Sequence, residues 1–179
     1  MARRRFAVAL LIPPPVAVEI DGLRRGLGDR QLGRIDPHIT IIPPINLHDE
    51  ELVDALAVVQ SAARTAGPMS LVLGPVTTFA ETSPVRFLAV EPWEPVTELY
   101  RGCWSGVLER PEKRSFHPHV TVDIDGGPTD RPDPAVGVLA GYRVDVELDR
   151  VTVLEHVELE DGPVPRRWEP YLSYRFGLG

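Results

Sequence analysis

A single cysteine, Cys103, stands in a chain of 179 residues. One thiol excludes a disulfide framework and a thiolate metal cluster. Its place in an apolar helical pattern makes it a core residue. Lysine is equally scarce: Lys113 is the only one, so positive charge falls to arginine. The overall balance is acidic, with a net charge of −7. A protein that follows long duplex nucleic acid needs a basic stripe to displace counterions from phosphates. Any nucleic-acid partner here is therefore small, or touched only at its end. No apolar run reaches the length of a membrane span. Arg3-Arg4-Arg5 followed by Phe6 to Ile12 imitates a secretion signal. That run, however, is only about seven residues long, and Pro13-Pro14-Pro15 ends it without a small-residue cleavage site. The expected location is cytoplasmic, with no membrane partner.

What the chain does contain is a repeat. Pro37-His38-Ile39-Thr40-Ile41 and Pro118-His119-Val120-Thr121-Val122 read almost identically and lie 81 residues apart. Arg5-Phe6 leads the first motif by the same interval that Arg86-Phe87 leads the second. Each leader opens a short apolar run of strand length. A third echo pairs Leu73 to Phe79 with Leu148 to Leu154, at an offset of 75. A drifting offset is what a loop of different length in one copy produces. The reading is a duplicated unit with one His-x-Thr element in each half.

Apolar residues make up 43% of the chain, enough for one globular core. No linker or low-complexity tract divides it. A single domain over residues 1–179 is expected, with lobes near 1–80 and 81–179 whose termini can cross between them. The length suffices for a monomer.

Periodicity supplies the elements. Phe6 to Ile12 reads as a buried strand. Val16, Ile20, Leu23 and Leu27 share one helical face, closed by Gly28. His38 to Ile42 is a strand stopped by Pro43-Pro44, and Asn46 to Ala63 is an amphipathic helix. Met69 to Phe79 is extended, with a bend at Gly74-Pro75. The second half repeats the order: strand Val85 to Val90, helix Glu94 to Leu108, strand His117 to Asp123, and a loop from Asp125 to Pro134. Tyr142 to His156 is extended with a break near Asp149, and Trp168 to Phe176 forms a last aromatic segment. The fold class is α+β: a bilobal duplication with pseudo-two-fold symmetry. Two mainly antiparallel sheets, flanked by helices, enclose a central cleft.

On a strand, residues i and i+2 point to the same side. His38 therefore projects with Thr40, and His119 with Thr121. An approximate two-fold makes the pairs face each other across the cleft, where a phosphoryl group fits between them. One imidazole, neutral, takes a proton from the attacking water or hydroxyl; the other, protonated, gives one to the leaving oxygen. The threonine hydroxyls donate to non-bridging oxygens as charge shifts. This chemistry requires no metal and no cofactor.

The two motifs, the Phe6 leader with its prolines, and Arg86-Phe87-Leu88 resemble the 2H phosphoesterase superfamily. The branch is that of 2′–5′ RNA ligases and cyclic nucleotide phosphodiesterases. The resemblance spans roughly residues 5 to 176. It implies an enzyme that hydrolyses 2′,3′-cyclic phosphates or related cyclic phosphodiesters of a nucleotide or RNA end. Some members also join RNA 2′–5′ reversibly. It implies His38 and His119 as catalytic groups, one the acid and one the base, and Thr40 and Thr121 as phosphate-binding ones; the resemblance points to His38 as the acid, while the pseudo-symmetry leaves the order open. Several relatives carry a basic residue just after the second motif, where this chain has Asp123, with Asp125 beyond. A carboxylate facing inward would repel phosphate and favour a smaller ligand. Arg34, Arg86 and Arg114 are the arginines expected to supply positive charge for the substrate.

Two other readings compete. A nucleotide- or phosphate-binding protein without useful catalysis fits the acidic residue after the second motif. A metal-dependent hydrolase fits His117, two positions before His119 on the same strand face, with Asp123 as a third ligand. Among the remaining candidates, His48 at a helix start and His156 beside Glu155 read as surface residues. Trp93, Trp168 and Tyr171 offer aromatic faces for a base, though such residues more commonly close a core.

Overall fold

A computed structural model describes residues 3–79, 82–111, 115–128, 130–159 and 165–177. The element order is β1 (Arg4–Leu11), α1 (Val16–Leu27), β2 (His38–Leu47), α2 (Asp49–Thr65), β3 (Met69–Thr78), β4 (Arg86–Glu91), α3 (Glu94–Cys103), β5 (His119–Asp123), α4 (Pro134–Val138), β6 (Val144–Leu148), β7 (Arg150–Glu158) and β8 (Arg166–Arg175). A one-turn 3₁₀ helix, Gly106–Leu108, follows α3.

The class is α+β, and the strands form one sheet of eight, ordered β6-β3-β4-β5-β2-β1-β7-β8. The expectation of two sheets is corrected here. Two antiparallel four-stranded halves meet edge to edge at β2 and β5, and Ile39↔Val120 is the register pair across that seam. The order is palindromic: β1 matches β4, β2 matches β5, β7 matches β3, and β8 matches β6. Both leaders, β1 and β4, lie beside their own His-x-Thr strand. The echo between β3 and β7 is explained as well, since each pairs with a leader. Yet β3 comes from the first part of the chain and β7 from the second. A cut near residue 80 therefore does not coincide with the division of the sheet.

Helices cross the seam too. α1 packs against β5, and α3 packs against β2. Ile20, buried on α1, and Val96, Leu99 and Cys103, buried on α3, join the same core as Ile39, Ile41, Val120 and Val122. Burying side chains of this size contributes roughly 1.5–3 kcal/mol each. The two halves are thus held by interlocked helices as well as by the seam. The segment 6–12, which imitated a secretion signal, supplies a central strand between β2 and β7.

Three boundaries differ from the pattern reading. β2 runs on through Pro43-Pro44 to Leu47, because a register irregularity between Phe6 and Val8 leaves both prolines exposed and outside the ladder. α3 stops at Cys103, since Ser105 is extended and Gly106 takes a φ of +55°. The segment 125–134 ends in a short helix, capped by the Asp133 side chain accepting from Ala135 N–H.

Candidate active site

The seam sets the geometry. Ile39 and Val120 are fully buried and oppose one another across antiparallel strands. Their flanking residues must then point to the other face. The antiparallel register places His38 beside Thr121 and Thr40 beside His119. All four are half-buried, while Ile41 and Val122 sink into the core. Two imidazoles and two hydroxyls thus project from one patch, related by the pseudo-two-fold.

Each ring is oriented in the same way. His38 Nδ1 lies 2.7 Å from the Asp36 carbonyl oxygen, and His119 Nδ1 lies 2.7 Å from the His117 carbonyl oxygen. A carbonyl only accepts, so Nδ1 carries the hydrogen and Nε2 keeps its lone pair for the face above. Burial lowers the His38 pKa to about 4, helped by the positive charge of Arg24 and by His119. Burial also lowers the pKa of His119, with a further contribution from His117. Both rings are therefore neutral in the empty site at neutral pH.

Beyond this shared device the flanks differ. His119 stands against Phe79 and Phe87, with ring centroids 5.2 Å away in each case. On the other flank a cavity of about 230 Å³ opens. It is lined by His38, Thr40 and Thr121, by β1 residues Ala7 to Ala9, by Leu154, and by Trp168. Arg24 reaches it from α1.

The arginines fall out differently from expectation. Arg86 Nε and Nη2 donate to Asp133 at 2.6 and 2.9 Å, and Nη1 donates to Asp123 at 2.8 Å. Its guanidinium is spent on two carboxylates. Arg34 is exposed and does not line the cavity, its carbonyl accepting the Trp168 N–H. Arg114 lies outside the described residues. Asp123 does not line the cavity beside the motif residues. β5 skips Val122 in its pairing with β4, and this bulge turns Asp123 inward to Arg86. Gly126 closes over that pair; a Cβ there would lie 1.8 Å from Asp123 Oδ2. Asp125 is half-exposed, 3.5 Å from Arg30.

His117 is exposed, its ring centroid 6.4 Å from that of His119. With Asp123 turned away, no group of three metal-ligating side chains forms among the described residues. His48 tops α2, where Glu51 accepts its backbone N–H at 2.8 Å. His156 packs edge-on to Trp168. Trp93 is exposed at the start of α3, and Tyr171 packs edge-on to Phe6; of the three candidate aromatics Trp168 alone lines the cavity.

The sequence reading missed Arg24. It lies four residues after Ile20, on the buried stripe of α1, and is 2% exposed. A charged residue in an apolar stripe was the available signal.

The four motif residues at the seam of a pseudo-symmetric antiparallel sheet define the candidate site. Residues 12–160 match the 2′-5′ RNA ligase superfamily, and the chain belongs to that family. A Bacillus pumilus protein, named provisionally as a phosphoesterase, is 28% identical over 170 residues, covering 94% of this chain and 95% of that one. A similarly named protein of Halalkalibacterium halodurans, BH1439, is 29% identical over 153 residues, covering 80% and 85%. The fold matches E. coli LigT, solved in complex with 3′-AMP, at a TM-score of 0.68 and 15% identity over 98% and 99% of the chains. It also matches the TT0787 protein of Thermus thermophilus, at 0.67 and 19% over 97% and 98%. Family and relatives together make this a phosphoesterase-type protein.

Proposed function

We propose that the chain is a metal-independent, cytoplasmic phosphoesterase that opens a 2′,3′-cyclic phosphate, or a related cyclic phosphodiester, of a nucleotide or RNA end. The observation that carries this reading is the register at the seam, which sets two imidazoles and two hydroxyls on one face with each Nδ1 committed to a carbonyl. LigT has been solved with 3′-AMP, phosphate, ATP and NADP+, which favours a small nucleotide ligand here.

The one-sided cavity supports an assignment of roles. The organic part of the substrate needs room, and room exists beside His38, over β1, β7 and Trp168. The leaving ribose oxygen then lies next to His38, and the attacking water enters on the His119 side. His119 Nε2 takes a proton from water as the new P–O bond forms. His38, carrying a proton on Nε2, gives it to the ribose oxygen as the old P–O bond breaks. Water is thereby added across one bond, leaving a phosphomonoester. The Thr40 and Thr121 hydroxyls donate to the non-bridging oxygens. His38 is neutral when the site is empty; the negative charge of a bound phosphodiester opposes that effect and lets the ring hold its proton.

The test is hydrolysis of 2′,3′-cyclic AMP in EDTA. Wild type turns over, and His38→Ala and His119→Ala each lose about 10²–10⁴ in rate. Absence of turnover by wild type, or a variant that matches it, refutes the mechanism. Loss of activity in chelator and recovery with zinc or manganese would instead favour metal chemistry at His117 and His119.

A further inference from the structure

The cavity beside His38 raises a question of charge. A phosphodiester is an anion, yet both imidazoles are neutral in the empty site, Arg86 is spent on Asp123 and Asp133, and Arg34 is exposed and does not line the cavity. Among the residues that line the cavity, Arg24 is the one cation.

Its bonding leaves one edge unused. Arg24 Nε donates to Asp29 Oδ2 at 2.8 Å. Nη1 donates to Asp21 Oδ1 at 2.8 Å and to the Ile35 carbonyl at 2.9 Å. Nη2 makes no hydrogen bond to the described residues. It is not sealed in either, because the only buried, unpartnered side-chain polar atom among them is Tyr142 Oη. The side chain is 3% exposed, and the residue lines the cavity.

The same guanidinium is braced to the machinery. Nη1 holds the Ile35 carbonyl, and the next carbonyl, of Asp36, accepts the His38 Nδ1 hydrogen. Gly28, with a φ of +80°, lets the chain turn at the end of α1 so that Asp29 comes back onto Arg24. Asp29 is itself buried, its side chain 1% exposed. An arginine fixed by two carboxylates and a carbonyl loses little conformational entropy when its free edge meets a ligand.

From this we infer that Arg24 is a substrate-binding residue: its Nη2 edge opens to the cavity and donates to a non-bridging oxygen of the phosphoryl group, supplying a fixed positive charge that the His-x-Thr pairs lack before substrate binds. The inference rests on the reading of the cavity as a phosphodiester site and adds to it the residue that selects for an anion. A fixed guanidinium presenting a single edge complements a phosphodiester, with one negative charge shared by two non-bridging oxygens. The nearby Asp29 and Asp21 oppose the second charge that the monoester product acquires. Arg24 therefore holds the cyclic substrate and lets the product go.

Binding is measured by calorimetry in a His119→Ala background, so that turnover does not interfere. The probes are 2′,3′-cyclic AMP, 3′-AMP and inorganic phosphate. Arg24→Gln and Arg24→Lys are each added to that background and checked for an unchanged circular dichroism spectrum. The expected result is at least a tenfold weaker affinity for 2′,3′-cyclic AMP in Arg24→Gln, with a smaller loss in Arg24→Lys. The loss for 3′-AMP is expected to be smaller than that for the cyclic ligand. Folded variants that bind the cyclic nucleotide within twofold of the parent overturn the inference, as does failure of the parent to bind any of the three probes. If the substitutions do not fold, the side-chain resonances of ¹⁵N-labelled arginine in the otherwise unaltered His119→Ala protein decide: Arg24 shifts on saturation with 2′,3′-cyclic AMP, and an unmoved Arg24 signal refutes the contact. Should wild type show no hydrolysis while binding still depends on Arg24, the proposed activity falls and the binding role of Arg24 stands.

Discussion

The two halves of the sheet carry the same motif but surround it differently. In each, a histidine gives its Nδ1 hydrogen to the carbonyl two residues earlier, and a threonine two residues later shares its face. Each half also buries an arginine against two carboxylates: Arg24 with Asp21 and Asp29, and Arg86 with Asp123 and Asp133. The difference is what lies above. Arg24, bound through Nε and Nη1, lines a cavity beside His38. All three nitrogens of Arg86 are committed, and His119 is backed by stacked phenylalanines whose centroids are 4.2 Å apart. The two halves keep the same ring–carbonyl arrangement, while Arg86 is a strut bound through all three nitrogens and Arg24 is bound through two. On the proposed function, this difference gives a symmetric frame a direction, with the organic group on one side and water on the other.

The strut is the place to break that comparison hardest. Arg86 is 12% exposed, and Asp123 and Asp133 are 4% exposed in their side chains. The Arg86 hydrogen bonds hold the Asp133 carboxyl below the usual range. Arg86→Gln strands two buried carboxylates, a loss expected to cost about 3–5 kcal/mol of stability. Urea unfolding at neutral pH measures it. A variant that retains wild-type stability shows that this pair is no strut. Gly126→Ala tests the same cluster from outside, since its Cβ would collide with Asp123 Oδ2.

The histidines give a subtler asymmetry. The folded protein lowers the His38 pKa to about 4 through burial, whereas the unfolded chain keeps it near 6.5. Below pH 6.5 the unfolded state therefore binds a proton that the folded state refuses. Stability from this group is complete above that pH and is lost as the pH falls toward 4. Between pH 7.5 and 5 the loss is about 2 kcal/mol for His38. His38→Gln is expected to flatten the decline of unfolding free energy over that range by this amount. An identical slope in wild type and variant would show that the ring titrates normally.

What could be read before the fold was known follows from what repetition and periodicity encode. Two His-x-Thr strings at matched offsets locate four residues of the candidate site, and alternation on a strand places each pair on one face. Most elements were legible too, including the break at Asp149. The merging of the halves into one sheet was not, because Ile39↔Val120 is a single long-range pairing with no local signature. Nor could the sequence show that Val122 bulges and turns Asp123 onto Arg86. Counting arginines near the motifs points to Arg34, Arg86 and Arg114. Arg24, fourteen residues before His38, reaches the cavity only because α1 crosses the seam to pack on β5.

The smallest expected effect separates the three aromatic candidates. Trp168 lines the cavity and packs edge-on to His156, while Tyr171 packs edge-on to Phe6 and Trp93 caps α3. If the organic group occupies the His38 flank, a nucleobase there meets the indole. Stacking of this kind contributes about 1–3 kcal/mol per base. Trp168→Ala should raise KM for 2′,3′-cyclic AMP by roughly 5- to 150-fold on that basis. Its effect on kcat should be small, because the indole is remote from the bonds that change. Tyr171→Ala serves as the matched control, removing an aromatic of the same strand that faces another part of the fold. Equal KM values for the two variants would show that the base does not rest on Trp168. A loss confined to kcat would show that the indole acts on the transition state and not on binding of the base.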